Sequence, residues 1–599
     1  MRISPLVFAL FSVSWTTLAA SPAKPFADTI YVGGEIIPVN DSDLTTEALA
    51  IKNGRILAVG KESELMKLRD DHTKIVDLDG KTMIPGFIDG HGHVFNTGIQ
   101  ALSANLLADP DGNVNSIASL QEELRSWVAK PENGKHGIIL GFGYDDSQLK
   151  EQRHPTRQEL DEVSKDLPVL IIHQSGHLAT LNTKALELAG LTAESTDPDG
   201  GKIRRESDGK TPNGVLEETA FFGTLLPLFA KLNAKENEVI FKAGMELYAS
   251  FGYTTAQEGR ASTSAVKTMY DLAQSGKLPI DVAAYPDIQV AQEVISPPYY
   301  SSEYSNGFRV AGAKLNLDGS PQGKTAWLTE PYLVPPVGQE KGYKGYPSMS
   351  DEQAAELIEL AHRNGWQLLT HVNGDAAIDQ LLNGIEASEK KHGVPDRGFI
   401  AIHAQTARKD QVERFKRLGV FPSFFPMHTF YWGDWHMNSV LGKDRAENIS
   451  PTGWARDLGI IYTSHHDSPV ALPNSMRVYS ATVNRVSRTG HVLGPKQRVS
   501  ALDGLKSQTL WAATQYKEEK SKGSLEVGKL ADLVILSDNP LTAKPETLAD
   551  IKVLETIKEG LTVYSSAQQV AAGSCINTKR CQEIATATMI SAGLLHHSH

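Results

Sequence analysis

Hydrophobic rhythm divides the chain into three parts. From Pro25 to about Ile84 short apolar runs dominate, as in "ALAIKNGRILAVG" (Ala48–Gly60). Two β-prone runs there flank Asn53-Gly54, a strong hairpin signal. The same texture returns in "GSLEVGKLADLVILS" (Gly523–Ser537) and "GLTVYSS" (Gly560–Ser566). Between these ends, apolar runs alternate with stretches of helical period. One is "SDEQAAELIELAHRNG" (Ser350–Gly365), with Ser350 placed as N-cap and Gly365 as stop. Strand-sized runs fall at Ile84–Asp89, Tyr253–Gln257, Asp281–Tyr285, Ala313–Leu317, Gln367–Thr370, Phe399–Ile402, Val420–Phe424 and Ile460–Thr463. Eight strands alternating with helices predict an α/β fold built as a (β/α)8 TIM barrel. Residues 98–242 are too long for one crossover and read as an insertion with strands at Gly137–Tyr144 and Pro168–His173. Each β-rich end is too short for a core of its own, so both together predict one composite β-sandwich. The expected organisation is a sandwich from residues 25–84 and 516–566, a barrel over 85–515, and a tail at 567–599.

The length of 599 residues suits one large catalytic domain plus a smaller one. Lys and Arg number 59 against 71 Asp and Glu, a net charge of −12. That balance argues against a nucleic-acid partner, since phosphate binding needs a basic face. The first 19 residues carry a positive start (Arg2), an apolar stretch (Leu6–Trp15) and a small-x-small site (Thr17-Leu18-Ala19). They read as a secretory signal peptide, which places the mature protein in the periplasm or outside the cell. The apolar run is shorter than the ~20 residues of a membrane span, so no stable anchor is expected after cleavage. The two cysteines, Cys575 and Cys581, suit a local disulfide in an oxidising compartment, with free thiols as the alternative. With no cysteine in the body, a metal site there must use His, Asp, Glu or Lys.

The polar residues at the strand ends carry the chemistry. "IPGFIDGHGHVF" (Ile84–Phe95) stops an apolar run on His91 and His93. Lys314 sits within "AKLNLDGS", His371 ends "LLTHVNGD", His403 ends "FIAIHAQ", and Asp467 follows in "YTSHHDSP". Singly, each has an ordinary reading as a turn, core or capping residue. Together, nearly all fall at the strand C-termini, where active sites of such barrels lie. Lys314 is the exception, inside its strand, where a buried ammonium is costly. His91 and His93, at i and i+2, point to one side of an extended segment. Imidazole and carboxylate ligands suit zinc first, with nickel, manganese or iron also open.

These residues resemble the amidohydrolase superfamily, and in particular the branch with N-substituted formamide deformylase and YtcJ-like proteins. "GGKIRRESDGKTPNGVLEE" (Gly200–Glu218), "AKLNLDGSPQGKTA" (Ala313–Ala326), "HVNGDAAID" (His371–Asp379), "IHAQ" (Ile402–Gln405) and "GSLEVGKLADLVIL" (Gly523–Leu536) carry the likeness. The resemblance implies a distorted (β/α)8 barrel with a composite β-sandwich. It implies one divalent metal on His91, His93 and Asp467 and a second on His371 and His403, with Lys314 bridging as a carbamate. Some relatives use one ion, which would leave Lys314 as a substrate contact. Asp467 is expected to orient a metal-activated water and pass its proton to a leaving amine. His177, in "SGHLATLN", is the expected oxyanion or substrate donor. Tyr144 and Asp145 in "GFGYDDSQL", His428 in "FPMHTFYWGDWH" and His466 in "SHHDSP" are expected to contact substrate. Two positions depart from the branch: Ile402 stands where Glu is common, and His466 where Ser precedes the final Asp. The implied activity is hydrolysis of a non-peptide carbon–nitrogen bond in a small molecule. The alternatives are a non-catalytic regulatory or binding homologue, a lactonase or esterase, or a deaminase. A deaminase usually has Glu three residues after the fifth-strand His, where this chain has Gly374. Assembly as a homodimer stays open.

Overall fold

A computed structural model of the protein describes residues 26–567, except residues 43, 135–136, 199, 230–232, 277, 337 and 396–397. The expected signal peptide, the tail beyond 567 and the Cys575–Cys581 pair lie outside the described residues. The centre is a ring of parallel strands. Phe87–Ile88, Tyr253–Ala261, Asp281–Pro286 and Phe308–Val310 pair in that order. Gly312–Asn316, Gln367–Val372, Phe399–His403, Phe421–Phe424 and Thr463–Ser464 form the other arc. A bridge between Asp287 and Lys314 joins the arcs on one side. On the other, the Asp467 N–H donates to the His91 carbonyl at 3.1 Å and the His93 N–H to the Ser468 carbonyl at 2.9 Å. The result is a TIM-barrel-like α/β fold whose first and last strands are joined at the ends that carry the candidate ligands.

These strands are near-continuous apolar runs because both faces are covered. Every residue of Gln367–Val372 and of Phe399–His403 is buried. Alternate residues serve different clusters. Leu368 and Ala401 pack with Val372 and Phe424, whereas Leu369, Ile400 and Ile402 pack with Tyr285 and with Ala512, Ala513 and Tyr516. By the same alternation Lys314 and His371 share the face of Leu369 and Ile400.

The run Ile84–Asp89 is not one strand. Thr82–Pro85 pairs with Glu35–Ile36 and Leu533–Leu536, and Phe87–Ile88 alone enters the barrel. Gly86 makes the switch: a Cβ there would lie 2.4 Å from Thr254 Oγ1, so no larger residue permits the approach. The last barrel strand is also shorter than its apolar pattern, Thr463–Ser464, with Ile461 left exposed.

Strands from both chain ends meet in a five-stranded sheet ordered Glu35–Ile36, Thr82–Pro85, Leu533–Leu536, Val553–Lys558 and Leu561–Ser565. It shares a cluster (Tyr31, Leu49, Ile51, Leu533, Ile557) with a four-stranded sheet that holds the hairpin Ala48–Lys52/Arg55–Gly60. Asn53 and Gly54 turn that hairpin with φ of 51° and 71°, as a type I′ turn requires. The insertion forms its own six-stranded sheet. Ile139–Tyr144 and Val169–His173, the two expected strands, pair in parallel within it. Ala104–Asn105, Leu178–Leu181, Gly201–Arg205 and Pro212–Glu218 extend it. Among the described residues, no helix is long and apolar enough to cross a membrane.

Candidate metal centre

His91 Nε2 and His93 Nε2 lie 3.4 and 3.3 Å from Asp467 Oδ1. Ligands held at ~2.0–2.1 Å by a tetrahedral metal stand roughly 3.3–3.4 Å apart, so the spacing matches. The hydrogen bonds behind the rings fix which nitrogen faces the centre. The Gly259 carbonyl, 2.7 Å from His93 Nδ1, can only accept, so His93 carries its proton on Nδ1. His91 Nδ1 meets Gln257 Oε1 at 2.6 Å. The Gln257 amide nitrogen donates to the Tyr516 hydroxyl at 2.6 Å and the Gly90 carbonyl at 3.3 Å, which fixes the amide orientation. The Tyr516 hydroxyl in turn donates to the Asp89 carbonyl at 2.6 Å. Both imidazoles therefore aim an Nε2 lone pair at Asp467, the arrangement a metal ligand needs. Gly92 separates the two histidines because a Cβ there would lie 2.1 Å from the Tyr248 hydroxyl.

A second pair completes the mouth. His371 Nδ1 and His403 Nε2 are 3.1 Å apart, and His403 Nε2 is 3.8 Å from Asp467 Oδ2. The Gly319 carbonyl accepts from His371 Nε2 at 3.2 Å. Behind His403 stands His465, at 3.1 Å, and behind that Ser423, at 2.9 Å. Asp318 braces the loop after the fifth strand by accepting backbone N–H groups of Asn373, Gly374 and Trp327; burial raises its carboxyl to about 7. Burial holds His91, His371, His403 and His465 well below the usual histidine range, so all four stay neutral. Lys314 is 2% exposed, with Nζ 2.9 Å from His91 Nε2; burial lowers it to about 7 against the pull of Asp467.

The donor set fits a divalent metal. Asp467 Oδ1 is buried with no hydrogen-bond partner while two imidazole lone pairs face it. A buried acceptor left in that state is costly unless a cation completes it. A second cluster, Asp145, Asp146 and His173, gathers ligand-type atoms but is organised differently. His173 Nε2 faces Asp146 Oδ1 at 3.1 Å and its Nδ1 faces the Ser175 hydroxyl oxygen at 2.9 Å, so both ring nitrogens can donate. Burial opposes a charge on this ring, yet Asp145 and Asp146 outweigh it and raise His173 to about 9. This cluster is an ion-paired network.

The family profile described as the amidohydrolase family matches residues 74–564. The chain belongs to that family. It is 29% identical to Protein LONG AFTER FAR-RED 3 of Arabidopsis thaliana, over 90% of this chain and 94% of that one. It is 26% identical to the N-substituted formamide deformylase of Arthrobacter pascens, over 90% and 98%. Among solved structures, an uncharacterized metal-dependent hydrolase from Pyrococcus horikoshii superposes with a TM-score of 0.69 at 27% identity, covering 86% of this chain and 99% of that one. The branch is the expected one, that of N-substituted formamide deformylase and the YtcJ-like proteins.

In this amidohydrolase the six expected ligands, His91, His93, Lys314, His371, His403 and Asp467, converge at one end of the barrel. His177 also arrives: its ring centroid is 6.2 Å from that of His371, and its Nδ1 donates to Glu218 Oε2 at 2.8 Å. The four expected substrate contacts are placed otherwise. Tyr144 is fully buried, its hydroxyl bonded to Thr180 and His154. Asp145 spends its carboxylate on Ser147, Gln148 and the Trp432 indole N–H. His428 is 2% exposed against Phe425 and Trp432, with Nδ1 on His436. His466 is wholly buried between Tyr248 and Tyr253, with Nε2 3.3 Å from Asp89 Oδ1, and burial lowers it to about 3. Each of the four has its polar atoms turned to protein, a matter of tertiary packing. The residues that sequence reasoning passed over are Gln257, Glu218, Ser423, Asp318 and Arg260. "TTAQEGR" ends a barrel strand, and the strand-end rule applied there points to Gln257 and Arg260.

Proposed function

We propose that the protein is an exported metal-dependent hydrolase that uses a metal-activated water to cleave a non-peptide carbon–nitrogen bond of a small molecule. The observation that carries this reading is the unpartnered Asp467 Oδ1 facing the two fixed imidazole lone pairs of His91 and His93. A zinc ion on these three residues, with a second on His371 and His403 and a Lys314 carbamate between them, would supply activated water near neutral pH. The neutral amine of Lys314, favoured by its lowered proton affinity, is the form that adds carbon dioxide and releases a proton. Asp467 takes the proton of the attacking water on its carboxylate and returns it to the nitrogen that leaves. His177 donates Nε2–H to the scissile carbonyl oxygen. Burial opposes its charge, but the Glu218 carboxylate raises it above the usual histidine value, so the donor form is held. The sheets from the two chain ends are read as one composite sandwich beside the barrel, and the mature chain as periplasmic or secreted without nucleic-acid or membrane partners.

A second reading has one specific support. A relative 24% identical over 75% of this chain is named "Exoenzymes regulatory protein AepA", which suits a binding or regulatory homologue. The intact ligand set favours hydrolysis. Metal analysis of the purified chain, joined to a screen of N-acyl, N-formyl and peptide-like amides, separates the two. Stoichiometric divalent metal with amide turnover is expected; protein that binds no metal and turns over no amide would favour the regulatory reading.

A further inference from the structure

Arg260 stands at the mouth without a full set of partners. It follows Gly259, whose carbonyl orients His93, at the C-terminal end of the barrel strand Tyr253–Ala261. Its backbone φ is 55°, in the left-handed region that a long side chain seldom adopts. Nε donates to Asp287 Oδ2 at 2.9 Å. The other oxygen of Asp287 is taken by the Gln289 N–H. Among the described residues, the two terminal nitrogens of Arg260 make no hydrogen bond, and the side chain is 41% exposed. Glu218 Oε1 is buried and also lacks a partner, yet Arg260 does not reach it. The guanidinium carbon lies 5.8 Å from the centroid of the Phe222 ring. Phe222 in turn is 5.9 Å from the His177 ring, which is 6.2 Å from His371. One wall of the mouth thus runs from the metal ligands through a proton donor and an aromatic face to a held cation. The charge of Arg260 is felt at His177, Lys314 and His371, in each case favouring the unprotonated form.

We propose that Arg260 is a specificity-determining residue that binds a carboxylate on the substrate. The substrate is then a carboxylate-bearing amide, such as an N-acylated amino acid, rather than a neutral one. This rests on the hydrolase reading above. With Nε tied to Asp287, the remaining edge of the guanidinium offers two parallel N–H donors, which match the two oxygens of a carboxylate. Phe222 lends apolar surface beside the same group.

The test uses the metal-loaded full chain with racemic N-acetylphenylalanine and its neutral counterpart N-acetylphenylalaninamide. The wild type is expected to favour the acid by about 10-fold or more in kcat/KM, mostly through KM, as a charge-assisted fork contact predicts. In Arg260→Gln the ratio falls to about one, and in Arg260→Lys, which keeps the charge but not the fork, it is intermediate. A wild-type ratio near one, or a ratio preserved in Arg260→Gln, overturns the proposal. If neither compound is hydrolysed, the hydrolase reading fails for this class, and calorimetric titration of N-acetylphenylalanine decides Arg260 separately. Binding weakened about 10-fold or more in Arg260→Gln supports the assignment. Equal binding to both proteins, or none to either, overturns it.

Discussion

Gln257 Oε1 accepts the Nδ1 proton of His91 at 2.6 Å, and this one bond decides which face of the ring a metal meets. Gln257 cannot flip, because its amide nitrogen is committed to the Tyr516 hydroxyl. Gln257→Leu is expected to keep the fold and to weaken metal binding roughly 10- to 100-fold, the usual effect of losing such a support. Competition with a chelator measures it; unchanged affinity would show that the ring is held by packing alone.

Asp467→Asn tests the proton carrier. The amide keeps the shape of the carboxylate but cannot take a proton from water. Turnover of any substrate identified is expected to fall by roughly 10²–10⁴-fold with the circular dichroism spectrum unchanged. Hydrolysis at the wild-type rate would sink the role.

His177 and Glu218 give a pH signature. His177→Ala is expected to lower kcat by roughly 10²–10³-fold, the cost of one oxyanion donor. Glu218 raises His177 against the opposing effect of burial. In Glu218→Gln the alkaline limb of kcat/KM should therefore move to lower pH. A limb that stays in place would mean that His177 is not the group observed.

His173 makes stability depend on alkaline pH. Asp145 and Asp146 raise it to about 9, against the effect of burial. A raised histidine stabilises fully below its unfolded value of ~6.5, and the contribution is lost as pH climbs through about 9. The loss is on the order of 3 kcal/mol for a buried group. Melting temperatures from pH 6 to 10 should fall in the wild type and change less in His173→Gln, which starts lower.

Below the barrel, Asp281 Oδ2 lies 2.6 Å from Lys522 Nζ and 2.8 Å from Lys558 Nζ, all three buried. Removing the anion takes away the carboxylate the two lysines share, leaving Lys522 on Glu518 at 3.0 Å and Lys558 on Asp532 at 2.9 Å. Asp281→Asn is expected to cost roughly 2–3 kcal/mol in urea unfolding, the loss of charge-assisted bonds and not of a sole counter-ion. Activity below the melting temperature should survive, since this end of the strands is far from the mouth.

Much of the site was legible in the chain because strand-end chemistry follows local pattern. The runs ending at His91, His371 and His403 are apolar because both faces are buried, and a polar residue closing such a run stands out. Side-chain direction was less legible. Ile400 and Ile402 share one face, so strict alternation puts His403 on the other; its φ of 69° takes it out of strand geometry and toward His371. Glu218, Arg260, Ala404 and Asp467 share that left-handed backbone, with φ of 48°, 55°, 43° and 53°, and no periodicity announces it. Likewise His428 and His466 look like mouth residues by position, yet their ring nitrogens turn to His436, Ser468 and Asp89.

The sequence by itself determined the α/β barrel pattern, the metal-type residues on separate strands, and the family resemblance. All three depend on local periodicity and residue type, which a linear chain carries in full. Only the tertiary structure decided that Gln257 sets the tautomer of His91, that Gly86 divides the first strand between two sheets, and that Arg260 is left with an open edge. Those facts are hydrogen-bond partners and close approaches between separate strands, 166 residues apart for His91 and Gln257 and 27 for Arg260 and Asp287. Such contacts arise only when the barrel closes and brings the ends of its strands together.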